Sequence, residues 1–263
     1  MPISTLDAFI AATKHLVCWS RTTTRTTVAT GWFSMFDVAG QPGAGTLAGA
    51  NTANGVVPTA STAGYPILPS FGGADGYLGR VKLANTVACR IALFDRLFLA
   101  GAYAFNANTS LASQPSYSGR LPGTNYNGLQ IWAETVTAAT GNQTWTVTYT
   151  DQDGNAGATT GAVGIGSAPT VGRCWQLPFA SGDNGVQKIE SVVGGTGSAG
   201  TANIMVLRPL IAGRIIAANA IDRFSAIESS LVQIYDTSAL YALVAADSTS
   251  SGLPDCTFQV AVA

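Results

Sequence analysis

Residues 144–150 read TWTVTYT, and this heptad sets the fold class. Trp145, Val147 and Tyr149 alternate with four threonines, the period-2 pattern of a strand with one face on a core. Every position is β-branched or aromatic, which favours an extended backbone. Residues 151–155, DQDGN, supply a turn, and Ala156 to Val163 is expected to return as a strand. Upstream, Leu129 to Val136 (LQIWAETV) reads as a strand. So do Cys89 to Leu93 and Leu97 to Ala102, two apolar runs separated by the polar pair Asp95 and Arg96. Downstream, strands are expected at Arg173–Leu177, Val186–Val193, Asn203–Leu207, Leu240–Ala246 and Thr257–Val262. Short strands with Gly-rich turns at close intervals predict a mainly β chain, an antiparallel β-sandwich of jelly-roll-like form. Ile221 to Tyr235 stays open, because Ile221, Phe224, Ile227, Leu231 and Ile234 also fit a helical face.

Two segments precede the β pattern. Ser4 to Val17 predicts a short N-terminal helix: Ser4 with Asp7 resembles a capping box, and Leu6, Phe9, Ile10, Thr13 and Leu16 or Val17 share one face. Asp37 to Gly76 is rich in Gly and Pro, almost uncharged, and carries no helical or strand period. Disordered segments are usually charged and poor in large apolar residues. This one holds Val56, Val57, Tyr65, Ile67, Leu68 and Phe71. It therefore reads as an extended arm pinned along a surface, and those six residues with Phe9 are the candidate interaction residues. The expected division is 1–36 for the helix and an extended segment, 37–77 for the arm and 78–263 for the sandwich. On that division, deleting residues 37–76 should leave the β domain folded.

Composition narrows the function classes. Of 263 residues 47% are hydrophobic but only 10% charged, against roughly 25% for an ordinary soluble domain. Ala, Gly, Ser, Thr and Asn must then cover the exterior, and a formal net charge of −1 favours association over repulsion. The same charge, with no Lys/Arg stripe, argues against direct nucleic-acid binding. Arg21 and Arg25 are the nearest thing to a basic patch and read as exposed loop residues. No apolar run approaches the ~18 residues of a membrane span, and the N-terminus lacks the form of a signal peptide, so no membrane contact is expected. The sequons at Asn108 and Asn142 are then chance matches. Cys18, Cys89, Cys174 and Cys256 lie about seventy residues or more apart, without metal-ligand spacing. They fit buried thiols, long-range disulfides or bridges between subunits; buried thiols are the default.

Chemistry finds little to stand on. His15 is the single histidine, no GxSxG elbow occurs, and only Cys18 lies near enough to share its helical face. Gly195, Gly197 and Gly200 match GxGxxG, yet Thr201 to Leu207 beyond them is strand-like where a dinucleotide site needs a helix. A hairpin loop is expected there. Asp151, Asp153 and Asn155 resemble the start of a calcium loop, but the twelfth position is Ala162 where a bidentate Glu belongs. Glu134 and Glu190 could face each other as a glycosidase pair or simply point outward. Trp132, Trp145, Trp175 and Tyr149 could form a sugar platform, though a core role suits them better. The reading is of a non-enzymatic protein with no catalytic residue, no cofactor and no metal.

The arm GQPGAGTLAGANTANGVVPTASTAG, the run LGRVKLANTVACRIALFDRLFLAG and the stretch NGLQIWAETVTAATGNQTWTVTYTDQDGNAGATTGAVGIG resemble virion structural proteins of tailed bacteriophages. The resemblance is one of style across nearly the whole chain and rests on no diagnostic motif. It implies a β-sandwich in an icosahedral head or its neck, with the arm on neighbouring subunits. A capsid decoration or cement protein is the first expectation, a neck, collar or tail component the second. A carbohydrate-binding sandwich recognising a host surface is the third. The implied partners are copies of itself, as a homo-oligomer such as a trimer, and virion proteins such as the major capsid protein. The implied location is the virion, assembled in the bacterial host cytoplasm.

Overall fold

The computed structural model describes residues 3, 5–167, 169–195, 199–226, 228 and 230–263. The chain is mainly β, with one short α-helix, Leu6–Ala11, at the N-terminus. The stretch TWTVTYT lies within the strand Asn142–Asp151, and Trp145, Val147 and Tyr149 are buried while the threonines between them are not. Among the described residues no helix is long and apolar enough to cross a membrane.

Two compact units are present, discontinuous in sequence. The first comprises Met1–Gly45, Thr59–Asp95 and Leu210–Ala263; the second comprises Thr46–Pro58 and Arg96–Pro209. None of these cuts falls at 36/37 or 77/78. Each unit is an antiparallel sandwich with its own core.

In the first unit one sheet runs Ile221–Phe224, Gly76–Ala84, Asp255–Val262, Thr13–Arg21 and Gly40–Gln41, with Gln233–Ile234 also pairing to Gly76–Ala84. Its second sheet sets Leu240–Ala246 between Trp32–Ser34 and residues 89–95. Between them pack Val17, Trp19, Val81, Leu83, Phe258 and Val260 from one side and Ile91, Leu93, Ala242 and Val244 from the other. In the second unit one sheet runs Val163–Ser167, Asn142–Asp151, Val186–Gly194 and Asn108–Ser110, with Ala158–Thr159 also on Asn142–Asp151. Opposite it, Gln130–Thr137 pairs with Cys174–Leu177 and with residues 201–207. Trp145, Val147, Tyr149, Ile189 and Val192 meet Ile131, Ala133, Leu177, Ile204 and Val206 in that core.

Several expectations change. The helix stops at Ala11, and Thr13–Arg21 is a strand registered against Asp255–Val262. Ala12 turns the chain at ψ 145°, after which Val17 and Trp19 alternate inward. The N-cap is Thr5, whose Oγ1 accepts from Ala8 N–H at 3.1 Å; Ser4 lies outside the described residues. Ile221–Phe224 and Gln233–Ile234 are strands on Gly76–Ala84, and Ile227 of the alternative helical face is outside the described residues. Asp95 and Arg96 interrupt nothing: Cys89–Ala104 is one strand of 16 residues. Adjacent strand residues point to opposite faces. Asp95 accepts from Ser238 Oγ (2.7 Å) and Ala239 N–H (3.0 Å) within the first unit. Arg96 lies 3.4 Å from Glu134 within the second. Two fully buried charges therefore sit side by side in one strand, each compensated in its own unit.

Candidate interaction surfaces

The Gly-rich arm folds onto its own chain. Residues 46–58 lie along the second unit, held there by groups far away in sequence. Asn203 Nδ2 donates to Leu47 O at 2.6 Å and to Glu134 Oε2 at 2.9 Å, and its Oδ1 accepts from Gly49 N–H at 2.9 Å. Tyr103 Oη donates to Thr52 O at 2.7 Å. Val56 and Leu99 exchange both backbone bonds, at 2.8 and 2.9 Å. Arg120 Nη1 donates to Pro58 O at 2.5 Å. A Cβ on Gly49 would sit 2.8 Å from Gly101 N and 3.2 Å from Asn203 Oδ1, so this close backbone approach requires glycine. A segment without period of its own is thus ordered by partners that satisfy its backbone.

Residues 59–76 belong to the first unit. Ala60, Leu68 and Phe71 enter its core, and the buried Tyr65 ring packs 4.6 Å from that of Phe36. Phe36 in turn lies where a side chain on Gly45 would be, 2.3 Å from its ideal Cβ. Of the candidate interaction residues, Tyr65, Leu68 and Phe71 are therefore internal to this chain. Val56, Val57 and Phe9 are half-buried, and Ile67 is 80% exposed. Ile67 stands at the rim of a groove of about 430 Å³, whose wall also includes Thr59, Ser61, Pro69, Asp236 and Thr237.

The groups tested for chemistry are held apart or already occupied. On a strand, His15 and Cys18 are three residues apart and point to opposite faces, so the shared helical face does not exist. All four cysteines are free thiols; Cys18 is exposed and the others are buried. Burial pushes the Cys89 and Cys256 thiols upward in pKa, away from the thiolate. Asp151 Oδ1 accepts from the N–H groups of Asp153 (2.8 Å) and Asn155 (2.9 Å), and Oδ2 accepts from Asn155 Nδ2. These bonds, led by the Asn155 side chain, hold its carboxyl below the usual range and close a turn around it. Among the described residues no group of three or more His, Cys, Asp or Glu could hold a metal ion.

Glu134 is fully buried against Arg96 and Asn203, while Glu190 accepts from Thr150 Oγ1 (2.8 Å) and Gly157 N–H (3.2 Å). Each carboxylate has its own partners, and the two sit on strands of different sheets. The GxGxxG stretch connects Val186–Gly194 to Thr201–Ile215, strands of different sheets, so it is a crossover rather than a hairpin. Its residues 196–198 lie outside the described residues. Trp132, Trp145, Trp175 and Tyr149 are all buried and present no sugar platform. Arg21 is buried, not an exposed loop residue: Nε donates to Met35 O (2.7 Å), Nη1 to Pro42 O (2.8 Å), and the guanidinium lies 4.7 Å over Trp19. Burial lowers its pKa to about 10. Arg25 pairs with Asp37.

Of 13 basic and 14 acidic residues, seven are buried: Arg21, Asp95, Arg96, Arg120, Glu134, Asp151 and Arg208. The exterior is thus poorer in charge than the composition alone implies. Leu6, Ile10 and Leu16, between 64 and 70% exposed, stand within eleven residues of one another at the N-terminus. The sequence had placed all three on one face of a longer helix, but the strand that begins at Thr13 takes Leu16 off that face.

No family model matches the chain, and no curated protein matches it. Among solved structures, those of infectious bursal disease virus are similar at a low level. The Gx strain gives 10% identity over 95% of this chain and 81% of that chain, with a TM-score of 0.21. The VP2 subviral particle gives 11% identity over 96% of this chain and 80% of that chain, with a TM-score of 0.20. Overlap this slight establishes no common fold.

Proposed function

We propose that this chain is a non-enzymatic structural component of a virus particle, a capsid decoration or cement protein that binds neighbouring subunits. One observation carries the reading. A chain with only 10% charged residues buries seven of its 27 ionic groups and leaves Leu6, Ile10, Leu16, Ile67 and Ile216 largely exposed. A solitary soluble domain keeps its ionic groups outside, where hydration and mutual repulsion hold it apart from its neighbours. An exterior of small neutral residues with protruding apolar ones gains by being covered. The resemblance of the sequence to tailed-phage virion proteins points the same way and supplies the particle as the setting. The partners are then copies of the chain and the major shell protein.

The test is quantitative mass spectrometry of native particles purified from infected cells. A protein present at a fixed, high copy number supports the reading, and one lost with the soluble fraction removes it.

A further inference from the structure

We propose that Thr13–Trp19 is a self-complementary sheet edge, at which a second copy of this chain adds antiparallel about a two-fold axis through Leu16. The proposal rests on the reading of the exterior as a partnered surface and identifies one contact of that surface.

Among the described residues the strand Thr13–Arg21 is paired along its length on one side only, by Asp255–Val262. On the other side, among the described residues, Gly40–Gln41 pairs with Ser20 and Arg21 and no strand pairs with Thr13–Trp19. Two backbone bonds fix which residues face which side: Arg21 N–H donates to Pro254 O, and Thr22 N–H donates to Ala39 O. Strand alternation then turns the backbone groups of Lys14, Leu16 and Cys18 to the uncovered side. Their three N–H and three C=O groups form an edge of the kind that recruits another strand.

Edges are commonly blunted by an outward lysine. Here the one lysine is turned back: Lys14 Nζ donates to Ile10 O (2.8 Å) and Ala12 O (2.7 Å) and lies 5.1 Å from the Phe9 ring centre. No bulge interrupts the register of this strand against its neighbour. Leu16 is 70% exposed in the middle of the edge, with Leu6 and Ile10 exposed nearby.

The second copy is favoured over a foreign strand by register. With the two-fold axis at Leu16, Leu16 faces its own mate, Lys14 faces Cys18 of the other copy, and Cys18 faces Lys14. All three uncovered residues of each copy are then hydrogen-bonded pairs, giving six bonds in all. Pairing needs no residue beyond Trp19, so it ends before Gly40–Gln41 begins. No like charges meet, and the two Leu16 side chains lie together on the exposed face. Shifting the axis by one residue, to Val17, would set Lys14 against Ser20, whose edge is already taken.

The experiment uses the full chain. Sedimentation of the wild type should give a concentration-dependent dimer. Lys14→Cys should cross-link to Cys18 of the other copy under mild oxidation, since hydrogen-bonded pairs lie at Cα separations of about 5.5 Å, within disulfide reach; adding Cys18→Ser should abolish the cross-link. Leu16→Pro removes an outward N–H that the fold does not use, and edge positions accept proline. It should weaken the dimer about tenfold or more with unchanged folding. Leu16→Lys, should proline perturb the strand, sets two cations across the axis and should do the same. A monomeric wild type, absence of the cross-link, or a dimer indifferent to both Leu16 variants overturns the proposal. A monomer still found in particles would do so while leaving the virion reading intact; a Leu16-dependent dimer absent from every particle would do the reverse.

Discussion

Asn203 Oδ1 accepts a hydrogen bond from Gly49 N–H at 2.9 Å, across 154 residues of sequence. The same side chain donates to Leu47 O and to Glu134 Oε2. One amide in a strand thereby fixes a Gly-rich segment, and a buried carboxylate holds that amide in place.

Gly49→Ala should destabilise the protein by about 1–3 kcal/mol, because the added methyl meets backbone at Gly101 that cannot easily give way. Gly43→Ala, where nothing lies within 4 Å of the new Cβ, should stay within about 0.5 kcal/mol of wild type. Urea unfolding of the two variants checks the pair.

Asn203→Ala deletes three buried or part-buried hydrogen bonds at once and leaves Leu47 O and Gly49 N–H without these partners. A loss of about 2–4 kcal/mol is expected. Hydrogen exchange should quicken first in residues 46–58, and unchanged protection there would contradict the assigned role of the amide.

Deleting residues 37–76 removes Ala60, Leu68 and Phe71 from the core of the first unit, so the truncated chain should fail to fold. The sequence had suggested that it would survive. Ile67→Ser is the cleaner probe of the arm. Its side chain is 80% exposed, so stability should change by less than about 0.5 kcal/mol. A drop in particle incorporation would then report on contact rather than on folding.

Burial raises the Tyr103 and Tyr149 hydroxyls to about 12, from an ordinary value near 10. Below about pH 10 both groups are protonated, folded or unfolded, and their contribution is complete. Between pH ~10 and ~12 the unfolded chain ionises them while the folded one does not, so stability should fall as pH rises. The slope of unfolding free energy against pH in that window should lessen in Tyr149→Phe. An unchanged slope would place the titration elsewhere.

Much of the architecture was legible in short windows. TWTVTYT gave its strand and inward face because period 2 is a local property of the chain, while Leu240–Ala246, buried at every position, gave its bounds as an uninterrupted apolar run. Asp95 and Arg96 misled for a specific reason. A polar pair between apolar runs resembles a break, and only partners at Ser238, Ala239 and Glu134 make its burial tolerable. Thr13–Val17 misled similarly, since a helical stripe of apolar residues and a strand paired to Asp255–Val262 share Leu16 and Val17.

The sequence by itself determined a mainly β chain of low charge, since alternation and composition need no knowledge of what lies across space. Tertiary structure alone decided that residues 46–76 fold back on their own chain, that seven ionic groups go inside, and that among the described residues nothing pairs with the outer side of Thr13–Trp19. Each of those outcomes depends on hydrogen-bond partners supplied from distant segments, and no local pattern encodes which distant group will arrive.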